Sequence, residues 1–231
     1  YTEHPDILKH SIESILNQTY KNFEFIIILD APDNFVNKRI LEKYCEIDSR
    51  IRLYVNEENF GLTKSLNKAV SFAKGKYIAR MDADDIALPK RLELQFRYVL
   101  EKKLDICGTY VQTIDEEGKL IQNCVKVPTN PTVIRTCLRI NNCVFHPTWF
   151  VKKEVYEKNG GYEGKYTEDY EFLLKSVKSG FIIGNIPEVL LKYRMTKHSI
   201  SRSNLFMQYL SLCYLQKKFY KGLCLSFNEY L

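Results

Sequence analysis

Asp82-Ala83-Asp84-Asp85 puts three carboxylates within four residues. Like charges this close repel, which costs stability unless a cation or hydrogen-bond donors compensate. A hard divalent ion such as Mg²⁺ or Mn²⁺ takes oxygen ligands, commonly one or two carboxylates together with substrate phosphates. Taken alone, the segment reads equally well as a solvated acidic turn that complements the start of the next helix. Context favours the cation, because Asp30 also follows an apolar run. Both acids then stand at strand ends on one edge of a sheet, where open α/β sheets bind ligands. A second acidic segment is Tyr166-Thr167-Glu168-Asp169-Tyr170-Glu171, where Thr167 is expected to cap a helix. Carboxylates in a first helical turn are worth about 0.3–1 kcal/mol each from the helix dipole alone, the better account of Glu171. One held on a rigid element can also accept a proton.

The elements that must position these groups follow from periodicity. Ile7, Leu8, Ile12, Ile15 and Leu16 predict one helix face with Asp6 as its cap, and Phe23 to Leu29 predicts a strand covered on both faces. A helix through Val36 and Tyr44, a strand at Ile51 to Val55, and a helix from Leu62 to Ala73 closed by Gly75 come next, then a strand at Tyr77 to Met81. This alternation points to a mainly parallel α/β sheet. Beyond a helix begun by Pro89, Asp105 to Ile114 and Lys119 to Val127 read as an antiparallel hairpin. Strands are expected at Thr148 to Val151, Phe181 to Gly184 and Val189 to Met195. One domain over residues 1–203 and a helical extension over 204–231 account for the chain. Sheets of this kind usually open with a strand, so one is expected ahead of Tyr1.

The chain has 231 residues, 45% hydrophobic and 27% charged, with a formal net charge of +6. Its basic residues are scattered, which argues against a nucleic-acid partner and is compatible with an anionic substrate or membrane surface. Seven cysteines with no Cys-x-x-Cys pair argue against a structural zinc site or a secreted disulfide framework and suggest small buried hydrophobes in a reducing compartment. No run of about 18 apolar residues could span a bilayer, so a cytoplasmic protein is expected, with peripheral contact at the inner face of a membrane open to it.

In order along the chain stand Gln18-Thr19-Tyr20, Asp30, Asn59-Phe60-Gly61-Leu62, Gly75-Lys76-Tyr77-Ile78 and Asp82-Ala83-Asp84-Asp85. They are followed by His146-Pro147-Thr148, Gly160-Gly161-Tyr162, Glu168-Asp169, Tyr193-Arg194 and His198-Ser199-Ile200-Ser201. With this ordered series the chain resembles the family 2 glycosyltransferases, inverting enzymes of the GT-A fold, up to about Ser203. The resemblance implies a Rossmann-like nucleotide-binding half with a mainly parallel sheet and a mixed acceptor-side half. It implies that Asp30 bonds the base, with Tyr1 beside it, and that Asp82 contacts the ribose. Asp84 would bind the Mn²⁺ or Mg²⁺ that bridges the diphosphate, with His198 as a further metal or diphosphate ligand. Asp85, Glu168, Arg194 and His146 would support donor or acceptor, and Asp169 would be the catalytic base. The expected reaction is transfer of a single sugar from a nucleotide-sugar, with UDP-hexose the default donor. The acceptor would be a saccharide or lipid-linked saccharide in surface polysaccharide or glycolipid biosynthesis. Single transfer is favoured because the Gln-x-x-Arg-Trp motif of processive members is absent and Trp149 is the one tryptophan. A sugar-phosphate nucleotidyltransferase, or a non-catalytic nucleotide-sugar-binding module of the same fold, are the alternatives. Loops around Gly160-Gly161 and the segment after Arg194 are candidate lids. The Leu205–Phe219 stretch, with its nearby lysines, suits a membrane surface or packing on the domain about equally.

Overall fold

Pro5 starts the first helix, α1 (Pro5–Leu16), because its fixed φ suits a first turn and its missing N–H costs nothing there. His4 therefore caps α1, accepting from the Asp6 amide at 3.4 Å, and the cap expected of Asp6 does not form. The computed structural model describes residues 3–164, 166–196 and 205–220. The short apolar runs become β1 (Phe25–Leu29) and β2 (Ile51–Val55), joined by α2 (Phe35–Ile47) and paired in parallel from Phe25–Ile51 to Leu29–Val55. Leu8 and Ile12 of α1 close a core with Leu29, Leu41 and Ile51.

Helix α3 (Leu62–Phe72) leads into β3 (Tyr77–Ala79), then β4 (Ile86–Ala87), α4 (Arg91–Lys102), β5 (Ile106–Ile114), β6 (Leu120–Val125) and α5 (Pro131–Cys137). A 3₁₀ turn at His146–Thr148, β7 (Phe150–Lys152), α6 (Lys153–Asn159), α7 (Glu168–Lys178), β8 (Ile183–Arg194) and α8 (Leu205–Tyr220) complete the order. The larger sheet runs β3-β7-β5-β8-β4, with β6 on β5 as the expected hairpin. Among the described residues parallel pairing recurs only at β5–β8, and β3, expected in the parallel set, pairs antiparallel with β7. Among the described residues β3 is not hydrogen-bonded to β1. The gap between the two sheets is lined by Ile26 and Ile28 of β1, Ala69 of α3 and Ile78 of β3.

The two strands expected at 181–184 and 189–195 are one, β8, whose register against β5 shifts between Ile186 and Val189. Pro187 lies in that irregularity, where its missing N–H breaks no ladder bond. Below the sheet, Trp149, Val151 and Ile183 pack on Phe172, Leu173 and Leu174 of α7 and on Leu212 and Leu215 of α8. The C-terminal helix is thus tied into the domain core. Five cysteines (45, 107, 124, 137 and 143) are free, but Cys213 is disulfide-bonded, contrary to the all-thiol expectation.

Candidate active site

The acidic loop begins where β3 runs out. Arg80 and Asp82 are two residues apart on extended chain and so share a face. The Arg80 guanidinium forks onto Asp82, with Nη1–Oδ2 at 2.7 Å and Nη2–Oδ1 at 2.5 Å. Asp84 is half-buried, and burial together with the Asp82 charge pushes its carboxyl up to about 6. Asp85 is wholly buried; desolvation first, then the charges of Asp82 and Asp84, raise it well above the usual carboxylate range. Its Oδ1 accepts from the Arg194 amide at 2.9 Å, while Oδ2 has no partner. Ligand oxygens of Asp82, Asp84 and Asp85 lie within 4.8 Å of one another. An orphaned buried oxygen beside two further carboxylates is an unfavourable arrangement by itself, and it fits the oxygen-donor set of Mg²⁺ or Mn²⁺.

Arg194, at the end of β8, grips this loop by its backbone. Its Nε donates to the Asp84 carbonyl and its Nη1 to the carbonyls of Asp115 and Glu116, each at 2.9 Å. From the other side, the buried Gln18 Nε2 donates to the Leu88 carbonyl at 2.8 Å, and Gln18 Oε1 accepts from the Leu92 amide at 3.0 Å. The Ser14 hydroxyl accepts from the Ala87 amide at 3.1 Å. Helix α1 and strand β8 therefore clamp the segment that carries the three acids.

Asp169 stands in the first turn of α7. Its Oδ2 accepts from Asn142 Nδ2 at 2.7 Å and its Oδ1 from the Tyr170 amide at 2.7 Å. Burial raises its pKa, and the Tyr170 N–H, the Arg80 charge and Asn142 pull it back toward the ionised form. Glu168 is raised by burial and by the charge of Asp169. Thr167 stands at the N-cap of α7 as expected but makes no side-chain cap bond; its hydroxyl pairs with that of Ser211 on α8 at 2.6 Å. Tertiary packing has taken the hydroxyl, and the acids are left to satisfy the helix start. Glu171 faces away to Lys218, at 2.9 Å, in keeping with its structural reading.

Asp30 is buried, and its oxygens accept from Asn56 Nδ2 at 2.6 Å and from the amides of Phe60 and Gly61 at 2.8 and 2.9 Å. Lys68 Nζ in turn donates to Asn56 Oδ1 at 2.7 Å. His146 is buried, with Nε2 at 3.0 Å from the Tyr162 hydroxyl and its ring edge-on to Trp149. Burial, helped by Arg80, holds it neutral. Gly160 and Gly161, at φ +77° and +81°, turn the chain beneath Asn67, whose side chain exchanges bonds of 2.9 and 2.8 Å with the backbone of Tyr162. That loop, a candidate lid, is anchored to α3.

Asp30, Asp82, Asp84, His146, Glu168, Asp169 and Arg194 all line one cavity of about 2630 Å³, while Asp85 sits behind it. Tyr1 and His198 lie outside the described residues, as does most of the segment after Arg194. Sequence reasoning missed Arg80, Asn56, Lys68 and Asn142. The i, i+2 spacing of Arg80 and Asp82 was a usable signal for the first. Asn56 and Asn142 carried none, because only folding brings them to Asp30 and Asp169.

The family profile described as Glycosyl transferase family 2 matches residues 1–160. The chain is 38% identical over 225 residues to an uncharacterised glycosyltransferase of Methanocaldococcus jannaschii, covering 96% of this chain and 77% of the relative. It is 41% identical over 208 residues to the O-antigen biosynthesis glycosyltransferase WbnJ of Escherichia coli, covering 89% and 80%. Among solved structures, S. aureus TarS superposes with a TM-score of 0.71 at 15% identity, over 99% of this chain and 66% of that one. The mannosyltransferase PcManGT of Pyrobaculum calidifontis, solved with GDP-Man and Mn2+, superposes with a TM-score of 0.70 at 15% identity, over 97% and 63%. The chain thus spans just under two thirds of the length of these structural neighbours, whose likeness is one of fold, that of the GT-A glycosyltransferases. On the profile match and the two sequence relatives together, the chain belongs to glycosyltransferase family 2.

Proposed function

We propose that this glycosyltransferase moves a single hexose from a UDP-sugar to an acceptor hydroxyl, with inversion and with help from a divalent cation. The observation that carries the reading is the opening of Asp82, Asp84 and the helix-borne Asp169 onto one cavity. In it the base lies in the Asp30 end of the cavity, where Phe60 and Gly61 frame the carboxylate. Asp82, held by Arg80, takes the ribose, and Asp84, supported from behind by Asp85, holds Mn²⁺ or Mg²⁺. When bound, such a cation neutralises the diphosphate and so makes it a better leaving group.

Asp169 does the proton work. The acceptor hydroxyl forms a bond to the anomeric carbon as the bond from that carbon to the diphosphate oxygen breaks. The hydroxyl proton passes to an Asp169 oxygen, and the nucleoside diphosphate leaves on the opposite face, which inverts the configuration. Asn142 and the Tyr170 amide fix that carboxylate, so it meets the acceptor in one orientation. His146, neutral and hydrogen-bonded to Tyr162, shapes the wall of the cavity and takes no part in proton transfer. Metal ligation by His198 and a place for Tyr1 beside the base remain parts of the same reading.

TarS has been solved with UDP-GlcNAc, which supports the UDP choice, and WbnJ serves O-antigen biosynthesis, which supports a surface polysaccharide or glycolipid product. The exposed Met207, Leu210 and Tyr214 of α8 support an acceptor carried on a lipid at the inner face of a membrane. Among the described residues no helix is long and apolar enough to cross one.

Calorimetric titration with UDP, GDP and dTDP, with and without Mn²⁺, tests the donor site. Mn²⁺-dependent binding of UDP that is lost in Asp84→Ala is the expected result. Equal binding with and without Mn²⁺, or a preference for GDP or dTDP, would overturn the cation or the donor assignment respectively.

A further inference from the structure

Strands β1 and β2 end in register, Leu29 opposite Val55, so the next residues, Asp30 and Asn56, meet just beyond the last rung. The Asn56 amide donates to the Leu29 carbonyl at 2.9 Å, which holds it there. Asn56 is 1% exposed and lies behind the cavity wall, to which Asp30, Phe60 and Gly61 belong. Its side chain has one orientation open to it. Lys68 Nζ, which can only donate, takes Asn56 Oδ1 at 2.7 Å. The amide NH₂ is thereby turned to Asp30 Oδ1 at 2.6 Å and to the Ser65 hydroxyl at 3.0 Å. A half-buried cation on α3 sets an amide, and the amide sets a carboxylate.

The bonds already made to Asp30 give this chain of contacts a consequence. A carboxylate accepts roughly four hydrogen bonds, shared equally between its oxygens. Asp30 Oδ1 takes Asn56 Nδ2 and the Phe60 amide, which fill it. Oδ2 takes the Gly61 amide, an N–H it shares with Asn59 Oδ1 at 3.1 Å, and keeps one acceptor position. Bases differ in what they bring to a single fixed acceptor. Uracil carries one ring N–H, at its N3 atom. Cytosine has a lone pair on the same atom, which would face the carboxylate with no proton between them. Guanine brings two adjacent donors, a ring N–H and an amine, to a place for one.

We propose that Asn56 and Lys68 are positioning residues that make the donor site selective for uracil: Lys68 orients Asn56, Asn56 fills Asp30 Oδ1, and Oδ2 is left as the one acceptor for the ring N–H of the base. Neither residue touches the base itself. Both act through the angle at which the Asp30 carboxylate is held. The proposal rests on the base-binding role given above to Asp30, so its test carries a variant that judges that role separately.

Calorimetric titration of the full chain with UDP and with CDP, each with Mn²⁺, isolates the base, because the two ligands differ nowhere else. Wild type should bind UDP about tenfold or more tightly than CDP, since a site built to accept an N–H rejects a ligand that lacks it. In Asn56→Ala the carboxylate is free to turn, and UDP should lose about tenfold while CDP, which makes no such bond, binds as before. Lys68→Met removes the donor that fixes the amide and should narrow the preference about threefold or more. Affinity lost equally for UDP and CDP is a merely structural effect and overturns the proposal. So does a preference that stays intact in Asn56→Ala. Should Asn56→Ala fail to fold, Lys68→Met decides alone, and an unchanged preference there overturns the proposal. Asp30→Asn judges the reading beneath it, and should erase or reverse the preference. A preference for UDP that survives Asp30→Asn, or a wild type that binds no UDP, overturns the base assignment and this proposal with it. A preference erased in Asp30→Asn yet intact in the Asn56 and Lys68 variants overturns this proposal alone.

Discussion

At the residue scale the site is a set of carboxylates in unequal surroundings. Asp169 has an amide donor and a side-chain donor, so in the proposed reaction it accepts a proton without having to be reoriented. Asp169→Asn should lower kcat by about 10²–10⁴ with UDP affinity nearly unchanged, checked by steady-state kinetics beside calorimetry. Asp84 and Asp85 are a liability to the empty fold. For Asp84 the folded pKa of about 6 lies above the ordinary 3.8, so the proton is bound more tightly in the native state. Its contribution to stability is thus fully present below about pH 3.8 and is lost as pH rises through about 6. A shift of this size bounds the effect at roughly 3 kcal/mol. In chelator at pH 7, Asp84→Asn should raise the thermal midpoint, and the gain should vanish near pH 4. A variant that melts lower than wild type at pH 7 would contradict this account.

At the scale of elements, chemistry depends on how loops are held. Arg194 ties the acidic loop to the β5–β6 turn with three bonds from one guanidinium, on a side chain packed at the end of the longest strand. Arg194→Met would leave those carbonyls without their charged donor. A loss of about 2–4 kcal/mol is expected, measured by urea unfolding, because several charge-assisted bonds go together. Binding of UDP with Mn²⁺ should weaken in parallel, since Asp84 loses its backbone anchor. Gln18, just beyond the Asn17 cap of α1, works in the same way. Its two bonds join α1 to the start of α4, so the acidic loop is bracketed by elements far apart in sequence.

At the scale of the molecule, stability is uneven. Strands β5 and β8 pair over nine positions at the centre of the larger sheet and sit on the Trp149–Phe172 core. Strands β1 and β2 pair with each other alone among the described residues, over five positions. Hydrogen exchange should therefore be slowest in β5 and β8, with β1 and β2 exchanging at least tenfold faster. Equal protection in the two sheets would show that they open as one unit. The periodicity of residues 7–16, 25–29, 51–55 and 62–73 was enough to read the helices and strands of the first half, because short-range burial sets those repeats. Side-chain type and order were enough to mark the acidic loop, Glu168-Asp169 and the family. Beyond the β5–β6 hairpin, pairing partners in the larger sheet were not legible: β3 joins β7 because their edges meet in space, and a three-residue apolar run carries no sign of direction. Nor were caps that lost to tertiary contacts, since Thr167 bonds Ser211, 44 residues away. Composition and spacing thus determined which residues could bind a cation or accept a proton. Only the tertiary structure decided which donors hold them, because Asn56, Asn142 and Arg194 reach the acidic segments across distances that local sequence does not encode.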